Sequence, residues 1–266
     1  MRVVDLPYLE DAKELEAAVR FQAQDQLPMP LDKAVIDYVP LAPEPNAEDA
    51  SAKRVLLVAA RRDMVERVMA ACKAAGLKPE GIDLSAFAMI RALHRESASE
   101  TPEPVLYLSV GGLTNLAVAR ATECTFARAS GSGVEALAVE LAERAALTLE
   151  HAYGWLAHVG VQQPVEDVTG DRQIAEHTRQ ILLDGVRRIA SEVRSSLDFH
   201  RMQEDAGSVS RAVMTGPASA IPGFDVALAS ELGIPVEQGL VDGAPAGIDA
   251  GRATVAAGLA LIEAPA

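Results

Sequence analysis

Three turns made of small residues, each set directly after an apolar strand pattern, constrain this sequence more than any other feature. They are Ser109-Val110-Gly111-Gly112-Leu113-Thr114-Asn115, Ser130-Gly131-Ser132-Gly133 and Thr215-Gly216-Pro217-Ala218-Ser219. Glycines there permit positive φ and leave backbone N–H groups free, as an anion nest requires. The first turn lies between two strand patterns and reads as a tight hairpin or as such a nest. The second precedes a helix pattern, and a helix start with glycines ahead of it suits an anion. Residues 131–136 also fit G-x-G-x-x-A. That fingerprint needs a second parallel strand ending in an acid about 20 residues on, and the stretch from Leu141 through Trp155 reads as helix instead. The third turn is either a plain strand-to-helix loop or a place where a flat base or ribose meets the backbone.

Around these turns the periodicity predicts an order of elements. The first half reads strand, helix, strand, strand, helix. A short strand begins at Val3 and ends near Pro7. An amphipathic helix follows over 10–26, with Asp11 at its start and Pro28 and Pro30 beyond its end. Strands are expected at 34–41 and 54–60, separated by a polar loop at 42–52. Asp63 is expected to cap a helix running to about Ala75, which Gly76 ends. A short strand at 82–84, a helix at 85–94 and a polar linker at 97–104 come next. The second half opens with a three-strand meander over 105–129. Helices follow at 134–144, 148–159 and 173–203, then a strand at 209–214, a helix at 224–232, a short strand from Val236 and a helix at 251–262. Meander strands mixed with crossover helices predict an α/β fold with helices against a mixed sheet.

Composition narrows the function. The chain has 266 residues and a formal net charge of -14. Such a chain repels phosphate backbones and anionic lipid, so neither nucleic acid nor direct membrane insertion is expected. No apolar run approaches the ~20 residues that cross a bilayer. Cys72 and Cys124 match no metal or redox spacing and read as small apolar residues in a reducing compartment. His151 and His158 share a helix face but lack the third ligand of a metal site. No serine sits in G-x-S-x-G, and no pair of carboxylates stands out.

These elements resemble the PilM family of type IV pilus assembly proteins, bacterial relatives of FtsA and actin. The resemblance is carried by Val19-Arg20-Phe21-Gln22-Ala23-Gln24-Asp25-Gln26-Leu27-Pro28 and by Arg54-Val55-Leu56-Leu57-Val58-Ala59-Ala60-Arg61 with the helix to Gly76-Leu77. It continues in Val110-Gly111 with Thr114; in Phe126, Arg128 and Gly133; in Glu192-Val193-Arg194-Ser195-Ser196-Leu197-Asp198-Phe199; and in Met214-Thr215-Gly216 with Ile221-Pro222-Gly223. It implies an actin-like (ribonuclease H-like) ATPase fold, N-terminally truncated, with an inserted SHS2-type module. The implied divisions are 1–81 for the SHS2-like module, 82–104 for the remnant of the first actin-like subdomain and a linker, and 105–266 for the second subdomain. The implied nucleotide contacts are Gly111, Gly112, Thr114, Asn115, Gly131, Ser132, Gly133, Thr215, Gly216 and Ala218, with ATP and Mg2+ as the cofactor.

The departures from that family bear on function. Against the family's pattern the chain is expected to start inside the module that follows the first phosphate loop, and so to lack that loop. An unfilled sheet edge, an altered first subdomain or self-association is then expected. Ser109 stands where the family has an acid that orders Mg2+, Val134 where a basic residue is common, and Pro217 where glycine is usual. Weak or no ATP binding and negligible hydrolysis are therefore expected. The resemblance implies a cytoplasmic scaffold that docks a peptide of a PilN-like inner-membrane protein and links it to the pilus motor ATPases. The alternatives are an active actin-superfamily ATPase and an FtsA-like cell-division protein, though the 251–266 segment has no basic face for a membrane.

Overall fold

The computed structural model describes residues 1–7, 9, 11–41, 52–95, 102–202, 207–241 and 249–261. The loop expected at 42–52 and the linker expected at 97–104 lie, but for their last residues, outside this set. The chain divides into two compact units, Met1–Ile82 and Asp83–Ala266.

The first unit comprises β1 (Arg2–Pro7), α1 (Ala12–Gln26), β2 (Ala34–Pro40), β3 (Ala52–Arg61) and α2 (Arg62–Ala74). Its sheet has the order β1-β3-β2, with both pairs antiparallel. Asp11 starts α1 as expected, its carboxylate accepting from the N–H groups of Lys13 (2.7 Å) and Glu14 (3.1 Å). Period-2 alternation turns Val4, Leu6, Val55 and Leu57 toward Leu15, Val19 and Ala23 of α1, and these form the unit's core.

Helix α2 corrects one sequence expectation. Arg61, not Asp63, occupies the N-cap, and no side chain caps the helix. Asp63 lies in the first turn, where its carboxylate accepts from Arg61 (2.7 Å) and Arg67 (3.1 Å). The Arg61 hydrogen bond holds its pKa below the usual carboxylate value. The two arginines satisfy the carboxylate from the sides, so β3 runs straight into the helix. The other end behaves as expected: Gly76 has φ +73°, and the Leu77 N–H reaches the Cys72 carbonyl at 2.9 Å.

The second unit comprises α3 (Ser85–Leu93), β4 (Pro104–Val110), β5 (Thr114–Arg120), β6 (Glu123–Ser130), α4 (Val134–Ala145), α5 (Leu149–Val159), α6 (Arg172–Arg201), β7 (Arg211–Thr215), α7 (Phe224–Leu232), β8 (Val236–Gln238) and α8 (Ala250–Ala260). The strand expected at 82–84 does not form. Asp83 instead accepts from the Leu84 N–H at 2.7 Å and pairs with Arg91, a local alternative to a strand ladder.

The sheet order is β6-β5-β4-β7-β8. The meander β4-β5-β6 is antiparallel, and β7 and β8 add in parallel. Leu106, Leu108, Val110, Leu116 and Val118 face a helical layer whose buried side chains include Leu137, Leu141, Leu156, Ile181, Ile189 and Val193. Each such leucine contributes roughly 1.5–3 kcal/mol by leaving water. Helices α3 and α8 pack together so closely that a Cβ added at Gly258 would lie 1.8 Å from the Ala88 carbonyl oxygen.

Candidate functional site

The strand registers carry the three turns to one end of this sheet. Ser109 and Thr215 are partners in the parallel β4/β7 pair, so the first and third turns leave side by side. Thr114 is the partner of Ser130 across β5/β6, which brings the second turn beside the first. Loops at the carboxyl ends of strands are where open α/β sheets place their ligand sites.

The tightest approaches between the turns are backbone to backbone. A Cβ added at Gly133 would lie 2.3 Å from the Gly111 carbonyl oxygen and 2.8 Å from that of Gly112. The Glu135 N–H, in the first turn of α4, donates to the Gly111 carbonyl at 3.5 Å. Gly216 has φ +88°, which favours glycine, and a Cβ there would sit 2.9 Å from the Val110 carbonyl oxygen. Pro217 reaches over the first turn, with its Cδ 3.2 Å from a Cβ built on Gly111.

The site residues expected from sequence fall into two groups. Thr114, Thr215 and Ala218 are buried at 1%, 0% and 0% exposure. The Thr114 hydroxyl donates to the Ser132 carbonyl at 2.6 Å, a brace between turns. The Thr215 hydroxyl meets that of Thr254 at 2.6 Å and donates to the Gly251 carbonyl at 3.3 Å. Gly111, Gly133 and Gly216 are buried as well. Gly112 and Gly131 are exposed and Asn115 and Ser132 half-buried, so these four present the outer surface of the cluster.

Acidic side chains adjoin that surface. Glu135 places its Oε2 2.7 Å from a Cβ built on Gly112. The Ser132 hydroxyl donates to Glu192 Oε1 at 2.5 Å, and Glu192 Oε2 is buried without a hydrogen-bond partner among the described residues. Tyr153 lies within the field of Glu135 and of Arg252. Burial and then Glu135 raise its phenol pKa, and Arg252 opposes them. Arg252 itself pairs at 3.6 Å with Asp249, which caps α8 by accepting from the Gly251 N–H at 2.8 Å.

Sequence reasoning missed Glu135, Glu192, Asp249, Gly251 and Arg252. A signal existed for two of them. Asp249 precedes a small-residue helix, a normal cap position. Glu192 falls three residues after Ile189 and four before Ser196, on the inward stripe of α6, where a carboxylate is anomalous. Among the described residues no group of three or more His, Cys, Asp or Glu could hold a metal ion. His151 contacts the Thr148 hydroxyl at 3.0 Å, and His158 the Thr169 carbonyl at 2.9 Å.

A family model described as Type IV pilus assembly protein PilM matches residues 1–242. Among solved structures, the chain is similar to one described as "PilM-PilN type IV pilus biogenesis complex", with TM-score 0.76 and 26% identity over 98% of this chain and 75% of that one. It also resembles MreB5 of Spiroplasma citri bound to ADP, with TM-score 0.55 and 15% identity over 75% of this chain and 64% of that one. The same protein bound to AMPPNP gives TM-score 0.55 at 14% identity, over the same shares. At these identities the MreB5 likeness concerns the fold alone.

Proposed function

The chain belongs to the PilM family of type IV pilus assembly proteins and has an actin-like α/β fold, and from that premise we propose that it is a scaffold rather than an enzyme. Its partner in this reading is a short peptide of a PilN-like inner-membrane protein, and it connects that protein to the pilus motor ATPases. The observation that carries the reading is the match over 98% of this chain to a structure whose description pairs PilM with PilN. Residues 1–81 are read as the SHS2-type module beside which the peptide docks. Exposed apolar side chains support this: Val35 and Val39 on β2, and Met64 and Val68 on α2. An extended peptide needs such contacts beside a rigid sheet.

The protein acts on the cytoplasmic side of the inner membrane and is held there through its partner. Among the described residues no helix is long and apolar enough to cross a membrane. A net charge of -14 disfavours anionic lipid.

The nucleotide site is degenerate in this reading. Phosphate binding needs positive charge and free N–H groups. Here Glu135 and Glu192 adjoin two of the turns, Ser109 is neutral, and Thr114 and Thr215 are engaged internally. Among this chain's residues, the exposed surface of Gly112, Gly131 and Ser132 would meet the phosphates of ATP, with Mg2+ neutralising part of their charge.

The test is a fluorescence-anisotropy titration of the chain against the N-terminal cytoplasmic peptide of the PilN-like protein from the same genome, alongside an ATPase assay. Saturable binding that Val39→Glu or Val68→Glu weakens supports the scaffold. ATP turnover that outpaces a no-protein control overturns the degenerate site, and no peptide binding overturns the partner.

A further inference from the structure

Tyr107 lies in the middle of β4 and is 2% exposed. It points to the sheet face opposite Leu106 and Leu108, which belong to the main core. A phenol this deep normally finds a hydrogen-bond partner. Among the described residues the Tyr107 hydroxyl has no hydrogen-bond partner, and Tyr107 lines a cavity of about 140 Å3.

Two guanidinium groups line the same cavity. Arg211, at the start of β7, is the register partner of Val105, two residues before Tyr107 on the same face. Arg95 follows α3 and is steadied by donating to the carbonyls of Ala92 (3.2 Å) and His94 (3.1 Å). Burial raises the phenol pKa, while the positive charges of Arg211 and Arg95 pull it down, so both arginines act on this ring. Among the described residues Arg211 has one long contact, 3.5 Å from its Nη1 to Glu237, and its other N–H donors carry no bond. A second cavity of about 200 Å3 shares Arg95 and Arg211 and adds His94 and Glu103. Both lie at the amino ends of β4 and β7, away from the three turns.

We propose that Tyr107, Arg95 and Arg211 form a binding site for a phosphate group, separate from the nucleotide turns. A phosphate presents three strong acceptor oxygens, and three donor groups converge here. The acids at the rim, Glu103 and Glu237, leave Arg211 only loosely held, and a dianion competes better for it than a single exposed carboxylate does.

The probe is inorganic phosphate, titrated into the full chain by calorimetry at fixed ionic strength, with acetate in a parallel series. Saturable phosphate binding is expected. Tyr107→Phe should weaken it about tenfold, a loss of about 1.4 kcal/mol, and Arg211→Gln at least as much. Tyr107→Phe removes a hydroxyl that bonds nothing among the described residues, so its melting temperature should not fall, and lost binding cannot be read as misfolding. Binding unchanged by Tyr107→Phe would move the phosphate to the turns and overturn the proposal. Acetate binding as tight as phosphate, or no saturable binding at all, would overturn it equally.

Discussion

The Ser132 hydroxyl donates to Glu192 Oε1 at 2.5 Å, fastening the second small-residue turn to the middle of α6. The bond puts a carboxylate where a phosphate-binding turn would present a hydroxyl. With Glu135 against Gly112, it gives two turns an acidic neighbour each. A unit charge about 4 Å from a phosphate oxygen costs on the order of 4 kcal/mol at an effective dielectric of 20. Exposure of Glu135 reduces its share.

Removing those charges should therefore restore nucleotide affinity. The double substitution Glu135→Gln and Glu192→Gln keeps shape and hydrogen bonding. It should bind Mg-ATP at least about tenfold more tightly than the parent, a gain of roughly 1.4 kcal/mol. Calorimetry on both proteins checks this. Equal affinities would show that the carboxylates are not the obstacle.

Gly133 and Gly131 sit two residues apart and should respond oppositely to a methyl group. A Cβ at Gly133 would meet backbone oxygens at 2.3 and 2.8 Å, and neither can move without parting the turns. Gly133→Ala should cost about 2 kcal/mol or more. Nothing lies within 4 Å of a Cβ at Gly131, and Gly131→Ala should change stability by less than about 0.5 kcal/mol. Urea unfolding of the two variants decides it. Similar losses would mean the turns are not in contact.

The buried Thr215–Thr254 pair should be strongly non-additive. Each single change to Val leaves a buried hydroxyl short of a partner and should cost about 1–3 kcal/mol. The double change removes both groups and should cost less than the sum. A double-mutant cycle by denaturant titration measures the coupling, and strict additivity would refute it.

The two thiols should separate by reactivity. Cys124 is buried, its Sγ donates to the Phe126 carbonyl at 3.5 Å, and burial pushes its pKa up to about 12 from 9.0. Cys72 is half-exposed. A thiol reagent at pH 8 should label one cysteine in the native protein and two in denaturant. The raised pKa also sets a direction. Its stabilising effect is complete below pH 9, where both states hold the proton. It is lost as pH rises toward 12, because the unfolded thiol ionises first. Cys124→Ala should flatten that alkaline decline, and an unchanged slope would exclude the thiol as its source.

Much of the fold was legible because it rests on local periodicity. Asp11 and Gly76 mark helix ends by chemistry that a sequence displays, and the short apolar runs at 54–60 and 105–110 display strands. The misplaced cap at Asp63 and the absent strand at 82–84 share one cause. In each, a carboxylate bonds a nearby arginine side chain, Arg61 and Arg67 for Asp63 and Arg91 for Asp83, and apolar periodicity carries no sign of that choice. The turns could be found as strings of small residues. That Thr114 and Thr215 spend their hydroxyls inside the protein could not, because Ser132 and Thr254 meet them only through strand register and helix packing. Glu192 is the exception, a carboxylate that stands out in the sequence on the apolar stripe of α6.

Helix α8 sets a practical boundary for anyone dissecting this protein. The matched family region stops at residue 242, yet the Gly216 N–H and the Thr215 hydroxyl both find their acceptor in the carbonyl of Gly251. A recombinant fragment trimmed to the matched region would strip the lid from Ala88 and orphan two polar groups beneath the third turn. Domain borders drawn from family similarity would here cut through a supporting beam, so expression fragments should run through Leu261.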